Sequence, residues 1–222
     1  MKRVVLSWSG GKDCCLALDK LRQGSDLEVV GLLTTLTGDF DRVSMHGVRR
    51  AILERQAERL GLPLHIVEIS HGAGNEEYES QTARALEALR DQGITAVVFG
   101  DLFLRDVRLY RERMLAPLAL EALFPLWGMD TRALLGAFID RGYRAVIVCV
   151  DPSRLAPSFA GRVIDATFAD SLPDSVDPCG ENGEFHTFVF DGPLFRAPVE
   201  FVPGHIVCRD SFWFCDLLPR GE

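Results

Sequence analysis

The sequence has no long hydrophobic run, no paired cysteine motif, no internal repeat and no block of basic residues. No apolar stretch approaches the ~18 residues that a membrane-spanning helix requires, so no transmembrane segment is expected. The first apolar run begins directly after Met1, which leaves no room for a signal peptide and predicts a cytoplasmic protein.

The six cysteines and five histidines are scattered, without a CxxC pair or the spacing that zinc sites use. This distribution predicts reduced thiols and argues against a disulfide framework. The formal charge of −8 and the lack of a Lys/Arg cluster disfavour nucleic acid as a partner, because a phosphate backbone requires an extended basic surface. A small anionic ligand such as a nucleotide needs only a local positive site.

Lysine is scarce, and one of the few lysines lies in a glycine turn. Only Lys2, Lys12 and Lys20 among the 24 basic residues are lysine, and Lys12 stands in the stretch SWSGGKDCCLAL between a predicted strand and a predicted helix. Glycines let a backbone approach a phosphate, the start of a helix presents free N–H groups, and lysine adds a compact positive charge. The stretch therefore predicts a phosphate site, with a plain glycine turn and an incidental surface lysine as the alternative.

This turn matches neither of the common phosphate motifs. A Walker loop needs GxxxxGK[ST], but Leu6 stands at its first glycine and Asp13 follows the lysine, and the GxGxxG fingerprint is also absent. An aspartate would repel a phosphate unless a divalent cation or backbone hydrogen bonds compensate. The sequence therefore implies Mg²⁺.

Strand-like and helix-like segments alternate through the first half of the chain. Short β-branched or leucine-rich runs occur at residues 3–7, 29–36, 64–69 and 96–99. Helical periodicity recurs between them. This order predicts an α/β fold with a Rossmann-like parallel sheet and helices on both faces. Ligands of such sheets bind beyond the carboxyl ends of the strands, where the turn with Lys12 is expected to lie.

The pattern changes in the second half. A helix is predicted over residues 105–123, and β segments are predicted at residues 185–190 and 199–214, among dense prolines, glycines and aspartates. We therefore predict a nucleotide-binding domain at residues 1–122 and a smaller α/β substrate-binding domain at residues 123–222.

A second glycine-rich stretch, GENGEFHTF at residues 180–188, contains two carboxylates, Glu181 and Glu184. Paired carboxylates in a cleft can bind a metal, orient an amine or act as acid and base. The alternative is an ordinary polar turn before a strand, because acidic turns are common on protein surfaces. Residue types and spacing leave both interpretations open.

Both stretches resemble signatures of one enzyme family. SGGKDC resembles the SGGxDS pyrophosphate loop of the ATP pyrophosphatases, which cleave ATP between its α and β phosphates and have an adenine-nucleotide-α-hydrolase-like fold. CGENGEFHTFVFDGPLF is similar to the CGEGGEYETF…DCPLF signature of the diphthine–ammonia ligase family, whose N-terminal half carries that loop. Further segments also resemble the family: MHGVRRAILERQAERLGLPL, GDLFLRDVRLYRERM and PLWGMDTRALLGAFIDRGYRAVIVCVD. The chain departs from these patterns at Cys14, Asn182 and His186, where the family has serine, glycine and glutamate.

The resemblance implies an ATP-dependent amide ligase. Such an enzyme activates a substrate carboxylate with ATP to give an acyl adenylate and pyrophosphate, and ammonia then displaces AMP. The implied partners are ATP, ammonia and a carboxylate on a protein or a small molecule. The implied cofactors are ATP and Mg²⁺, and the implied metal ligand is Asp13.

The resemblance also implies roles for individual residues. The expected catalytic residues are Lys12, Asp13, Glu181 and Glu184. Nucleotide contacts are expected from Ser7, Ser9, Gly10, Gly11, Lys12, Asp13, Cys14, Thr34, Met45, His46, Gly100 and Asp101. Substrate contacts are expected from Arg108, Glu112, Gly180, Glu181, Asn182, Gly183, Glu184, His186 and Thr187.

Other functions are weighed against this one. In a bacterium, which the arginine-rich composition favours, the acid could be a small carboxylate such as a corrinoid precursor. A non-catalytic ATP- or AMP-binding regulator is a second alternative, although a sensor has no need for the acidic turn. The missing CxxC pair and the negative charge disfavour tRNA sulfur transfer or lysidine formation. The acceptor acid and the oligomeric state are not determined by the sequence, so a homo-oligomer stays open.

Overall fold

The first half of the chain forms a sheet of six strands. The computed structural model describes residues 1–220, and its strands here are β1 Lys2–Ser7, β2 Leu27–Thr37, β3 Arg42–Val43, β4 Leu64–Ile69, β5 Ala96–Val98 and β6 Glu121–Leu123. Five strands are parallel in the order β4-β2-β1-β5-β6, and β3 pairs antiparallel with the end of β2. The strand order therefore reverses between β1 and β5, and ligands of such sheets bind in the crevice at that point.

Helices cover both faces of this sheet. They are α1 Lys12–Arg22, α2 Arg50–Leu60, α3 Asn75–Asp91 and α4 Arg105–Leu115. Successive residues of β1 point to opposite faces: Leu6 packs in the cluster with α1 and α2, whereas Val5 packs in the cluster with α3 and α4. The predicted parallel sheet with helices on both faces is confirmed.

The helix predicted over residues 105–123 is wrong in its second half. α4 ends at Leu115, a single 3₁₀ turn follows at Ala116–Leu118, and the chain then forms β6. Pro117 has no N–H to donate and its ring obstructs a continuing α-helix. The apolar residues that suggested a longer helix instead form the strand at one edge of the sheet.

The second half adds an antiparallel sheet. Its elements are α5 Thr131–Asp140, β7 Arg144–Val150, α6 Ala166–Ser171, β8 Phe185–Asp191, β9 Phe201–Arg209 and β10 Phe212–Pro219, with the strand order β8-β7-β10-β9. The β segment predicted at residues 199–214 is two strands, because Asp210 and Ser211 adopt positive φ values of 47° and 69° in a tight hairpin turn. Among the helices within residues 1–220, none is long and apolar enough to cross a membrane.

The two sheets share a hydrophobic core. Leu6 and Leu18 from the first half belong to the same buried cluster as Phe138 and Phe188 from the second half. β8 packs against α1, so the start of β8 lies beside the turn that precedes α1. The domain boundary between residues 122 and 123 stays a prediction, and residues 221–222 of the predicted second domain lie outside the described residues.

Candidate active site

The turn between β1 and α1 is held in shape by a buried glutamine. Gln56 on α2 donates from Nε2 to the carbonyls of Gly10 and Val189, at 3.0 and 2.6 Å, and its Oε1 accepts a hydrogen bond from Trp8 Nε1 at 2.8 Å. Gly10 has a φ of 83°, a conformation that favours glycine. Because Gln56 is fully buried and bonded on both ends of its amide, it connects the turn to α2 and β8 at once.

Lys12 joins this turn to the second glycine-rich stretch. Its ammonium lies 2.8 Å from Asp13 Oδ2 and donates to the carbonyl of Cys179, and only 2% of the residue is exposed. Its backbone N–H donates to Thr187 Oγ1 at 3.0 Å. Burial works against the charged form, but the Asp13 carboxylate outweighs it and raises the pKa of Lys12 to about 12. The lysine is therefore a charged link between the two stretches.

Cys14 occupies the position at which the resembling family has serine. Its Sγ donates to the carbonyl of Gly11 at 3.1 Å and lies 3.7 Å from Ser9 Oγ. Burial raises the pKa of the Cys14 thiol to about 11, so the thiol stays protonated at neutral pH. A protonated, buried thiol packs like a small apolar side chain and is not a nucleophile.

The acidic turn is organised around Glu184. Glu184 Oε1 accepts hydrogen bonds from the N–H of Asp177 at 2.9 Å and from Asn182 Nδ2 at 3.1 Å, and the residue is 2% exposed. Asp177 Oδ2 in turn accepts from the N–H groups of Cys179 and Glu181, each at 3.0 Å. Glu184 therefore points into the turn, and of the two predicted carboxylates it is Glu181 that faces the crevice.

Three carboxylates from different elements approach one another at the crevice: Asp13 on α1, Asp101 after β5, and Glu181 in the acidic turn. Burial raises the pKa of Glu181 to about 7; the hydrogen bond from the Leu102 N–H, at 2.7 Å, opposes this rise, and Asp13 and Asp101 add to it. Burial also raises the pKa of Asp13 and of Asp101, and the neighbouring Lys12 and Arg111 offset only part of this.

Two oxygens of these carboxylates accept no hydrogen bond from residues 1–220, although Arg111 Nε lies 3.6 Å from one of them, Asp101 Oδ2. Among the described residues, Asp13 Oδ1 and Asp101 Oδ2 are buried without a hydrogen-bond partner. Within residues 1–220, no group of three or more His, Cys, Asp or Glu side chains could hold a metal ion. The two carboxylates fit a hard divalent cation that takes its remaining ligands from a phosphate or from water.

The turn, the carboxylates and β2 enclose a cavity of about 430 Å³. The predicted site residues that line it are Ser7, Ser9, Gly11, Lys12, Asp13, Cys14, Thr34, Met45, His46, Gly100, Asp101, Gly180, Glu181, Gly183, His186 and Thr187. Gly10, Arg108, Glu112, Asn182 and Glu184 are not among its lining residues. A Cβ on Gly100 would lie 2.8 Å from the Cys14 nitrogen, so glycine lets the end of β5 approach α1.

α4 presents a different arginine to the cavity from the one the sequence suggested. Arg108 pairs with Glu112 at 2.8 Å and its guanidinium lies over the rings of Phe124 and Trp127, at 4.9 and 4.8 Å. Arg111 lines the cavity instead. Its Nη1 donates to the Tyr78 hydroxyl of α3 at 3.2 Å and its Nε lies 3.6 Å from Asp101.

Two threonine hydroxyls belong to the same cavity. Thr34 Oγ1 on β2 and Thr82 Oγ1 on α3 are buried and, among the described residues, have no hydrogen-bond partner. The resemblance to the ATP pyrophosphatases indicated Thr34 as a nucleotide contact, but Thr82 looked like part of an apolar helical stripe. Both hydroxyls are available to a bound ligand.

Two sequence profiles match the chain. The diphthamide synthase N-terminal domain matches residues 1–120, and the diphthamide synthase C-terminal domain matches residues 130–217. The chain belongs to the diphthamide synthase family.

Named relatives in this family are diphthine–ammonia ligases. The protein from Danio rerio is 28% identical over 217 residues, which cover 89% of this chain and 85% of the relative. The Homo sapiens protein is 23% identical, with 94% and 86% covered. The Schizosaccharomyces pombe protein is 25% identical over 94% of this chain, but the chain spans only 38% of that protein.

A solved structure is also similar over part of the chain. It is a predicted subunit of tRNA methyltransferase from Methanocaldococcus jannaschii, which is 20% identical, with 62% of this chain and 74% of that chain covered and a TM-score of 0.39. A likeness at this level does not bear on the function.

Proposed function

We propose that this member of the diphthamide synthase family adenylates a substrate carboxylate with ATP and then transfers ammonia to it. The family and its ligase relatives make the chain an ATP-dependent ligase. One observation carries the finer proposal: Lys12 bonds the pyrophosphate-type turn to the acidic turn, so both signatures face one cavity. A two-step ligase requires this arrangement, because both steps act on the same substrate carboxyl group: its oxygen attacks phosphorus in the first step, and its carbon is attacked by ammonia in the second.

In the first step the substrate carboxylate attacks the α phosphorus of ATP, and the bond to the β-phosphate oxygen breaks. The start of α1, with Gly10 and Gly11 before it, directs backbone N–H groups and the positive end of the helix dipole at the departing pyrophosphate. Asp13 and Asp101 would hold a magnesium ion, which supplies positive charge to the phosphates when it is bound. The hydroxyls of Thr34 and Thr82 are available to the nucleotide or the acid.

In the second step ammonia attacks the acyl adenylate and AMP leaves. Glu181 is the proposed carboxylate for this step, because it faces the cavity and is held by the Leu102 N–H. Glu184 acts on the shape of the acidic turn through its bonds to Asp177 and Asn182. Arg111 offers the positive group that could orient an acidic substrate at the α3–α4 side of the cavity.

The proposal is tested by following the nucleotide products. The protein is incubated with ATP, Mg²⁺, ammonium chloride and a panel of candidate acids, and AMP, ADP, pyrophosphate and phosphate are quantified. Acid-dependent release of AMP and pyrophosphate in equal amounts is the expected result. Release of ADP and phosphate would overturn the assignment of cleavage at the α phosphate.

A matched pair of variants assigns the products to this site. Glu181→Gln removes a charge from the cavity and is expected to reduce turnover, whereas Glu87→Gln changes an exposed carboxylate of α3 that does not line the cavity and is expected to leave turnover unchanged. The relatives are named diphthine–ammonia ligases. Their names therefore favour the ligase over two alternatives: a non-catalytic ATP- or AMP-binding regulator, and an enzyme that amidates a small corrinoid-type acid.

A further inference from the structure

Two histidines from opposite halves of the chain face each other in the cavity. The rings of His46, after β3, and His186, on β8, have centroids 4.5 Å apart and are inclined by 32°. Both rings line the cavity beside the turn before α1. The approach is close, since a Cβ on Gly11 would lie 3.3 Å from His46 Cε1. The histidines therefore form a packed pair beside the turn before α1 rather than surface side chains.

A hydrogen bond assigns the tautomer of His46. Its Nδ1 lies 3.3 Å from the carbonyl oxygen of Thr187. A carbonyl can only accept, so Nδ1 carries the proton in the neutral ring and Nε2 is left with a free lone pair. Thr187 is the residue whose hydroxyl accepts from the Lys12 N–H, so the bond that orients His46 also belongs to the link between the two signatures.

The surroundings keep both rings uncharged. Burial lowers the pKa of His186 to about 4, and the Lys12 ammonium contributes to the decrease. Burial also lowers the pKa of His46. His186 and Lys12 add to this decrease, and the hydrogen bond to the Thr187 carbonyl opposes it. Neutral rings do not repel an ammonium ion, and their lone pairs can accept its N–H groups. When a nucleotide binds, its negative phosphates oppose the effect of Lys12 and make the rings more basic.

Resting on the proposed ligase function, we propose that His46 and His186 form the ammonia site, in which His46 Nε2 accepts a hydrogen bond from the nitrogen nucleophile and takes up its proton. Bound ammonium first gives one proton to solvent; the ammonia lone pair then forms the C–N bond, and the acyl C–O bond breaks with its electrons on the phosphate oxygen of AMP. One proton passes from nitrogen to His46 Nε2. The products are the amide, AMP and a protonated imidazole that returns its proton to solvent.

The first test observes the imidazoles directly and needs neither an acid nor turnover. In the ¹⁵N-histidine-labelled full chain, long-range ¹H–¹⁵N spectra are expected to show His46 as the neutral Nδ1-protonated tautomer at about pH 6, below the usual histidine pKa. With Mg²⁺ and a non-hydrolysable ATP analogue present, added ammonium chloride is expected to change the ¹⁵N chemical shifts of His46 Nε2 and of the His186 ring, and the change should saturate. Tetramethylammonium chloride at equal ionic strength is the control salt, and His65, His71 and His205 are internal controls.

A charged His46, an Nε2-protonated His46 or the absence of an ammonium-specific shift would overturn the proposal. These results are independent of ATP cleavage. If no acid supports AMP release but the imidazoles respond to ammonium, the ligase proposal fails and the ammonia site stands.

The second test separates the two half-reactions. His46→Asn keeps an N–H donor for the Thr187 carbonyl but has no basic nitrogen, and His186→Phe keeps a ring of similar shape without nitrogen. In both variants ammonia-dependent amide formation is expected to fall further than acid-dependent exchange of pyrophosphate into ATP, and His46→Asn is expected to lose roughly 10²–10⁴-fold in amide formation. Hydroxylamine, which is largely uncharged at neutral pH, is expected to recover product formation. The proposal would be contradicted if pyrophosphate exchange and amide formation fell equally, or if amide formation with ammonia kept its wild-type rate. The matched control is His205→Asn, at an exposed position of β9.

Discussion

The backbone N–H of Lys12 donates a hydrogen bond to Thr187 Oγ1 at 3.0 Å, across 175 residues of the chain. The first residue of α1 is therefore capped by a side chain of the second signature, because Gly11 at the N-cap position has no side chain that could do so. The start of α1, which is the proposed pyrophosphate site, depends on the acidic turn for its geometry. This hydrogen bond therefore couples pyrophosphate binding at the start of α1 to the conformation of the acidic turn.

Removing the Thr187 hydroxyl is expected to weaken both the fold and the site. Thr187→Val keeps the shape of the side chain but leaves the Lys12 N–H without its acceptor, so the free energy of unfolding should fall by about 1 kcal/mol, as for other lost helix caps. Urea denaturation measures this, and pyrophosphate release should fall as well. Thr187→Ser keeps the acceptor and should resemble the wild type; equal behaviour of the two variants would show that the cap does not matter.

Lys12→Ala is expected to destabilise the protein as well as inactivate it. The substitution leaves the partly buried Asp13 carboxylate, whose side chain is 27% exposed, without its counter-charge, so the free energy of unfolding should fall by about 1–3 kcal/mol. The double substitution Lys12→Met with Asp13→Asn removes both charges and should recover most of the stability without recovering turnover. Denaturation midpoints and AMP release measure the two effects separately. A Lys12→Ala protein of unchanged stability would mean that the ion pair contributes nothing to the fold.

The sequence predicted the sheet and the turn before α1 for a clear physical reason. Hydrophobic periodicity and glycine position are local signals, and they locate strands, helices and phosphate-type turns without knowledge of the tertiary structure. The resemblance to a family added the acidic turn. Of the residues assigned to the site, most line the cavity, and their roles there stay predictions.

The long-range polar contacts could not be predicted from the sequence. Gln56 looks like a solvent-facing helix residue, yet it bonds Trp8 and two backbone carbonyls in the core. Glu181 and Glu184 carry the same chemical group three residues apart, and only the turn geometry directs the first outward and the second inward. Side-chain direction in an irregular loop has no period, so spacing does not determine it.

The two glutamates of the acidic turn are expected to differ in their effects. Glu184→Ala removes the acceptor for the Asp177 N–H and should lower stability by about 1–3 kcal/mol, with turnover falling because the turn loses its order. Glu181→Gln should leave stability nearly unchanged and change the pH profile. The pKa of Glu181 is raised to about 7, so if its carboxylate form acts, wild-type turnover rises as pH increases through about 7 and the variant lacks this rise. Identical profiles would exclude Glu181 as the titrating group.

Asp216 is expected to stabilise the segment that carries His46. Its carboxylate on β10 bonds Arg42 at 2.8 Å and Arg49 at 2.6 Å, and Arg42 also donates to the carbonyl of Gly47 at 2.7 Å. Burial opposes ionisation, but these arginines outweigh it and hold the pKa of Asp216 well below its usual range. Because the folded-state pKa lies below the unfolded one, near 3.9, the contribution to stability is full at neutral pH and is lost as pH falls below about 4.

Asp216→Asn should therefore lower the free energy of unfolding by about 2 kcal/mol at neutral pH, the typical contribution of hydrogen bonds to a charged group. The difference from wild type should shrink as the pH is lowered, because the wild-type carboxyl then becomes protonated too. Urea denaturation across the acidic range measures this, with Asp210→Asn in the β9–β10 turn as the control. Loosening Arg42 also frees the Gly47 carbonyl beside His46, so the variant's ammonia-dependent step should slow more than its pyrophosphate exchange. A difference in stability that is constant with pH would mean that Asp216 acts through packing and not through its charge.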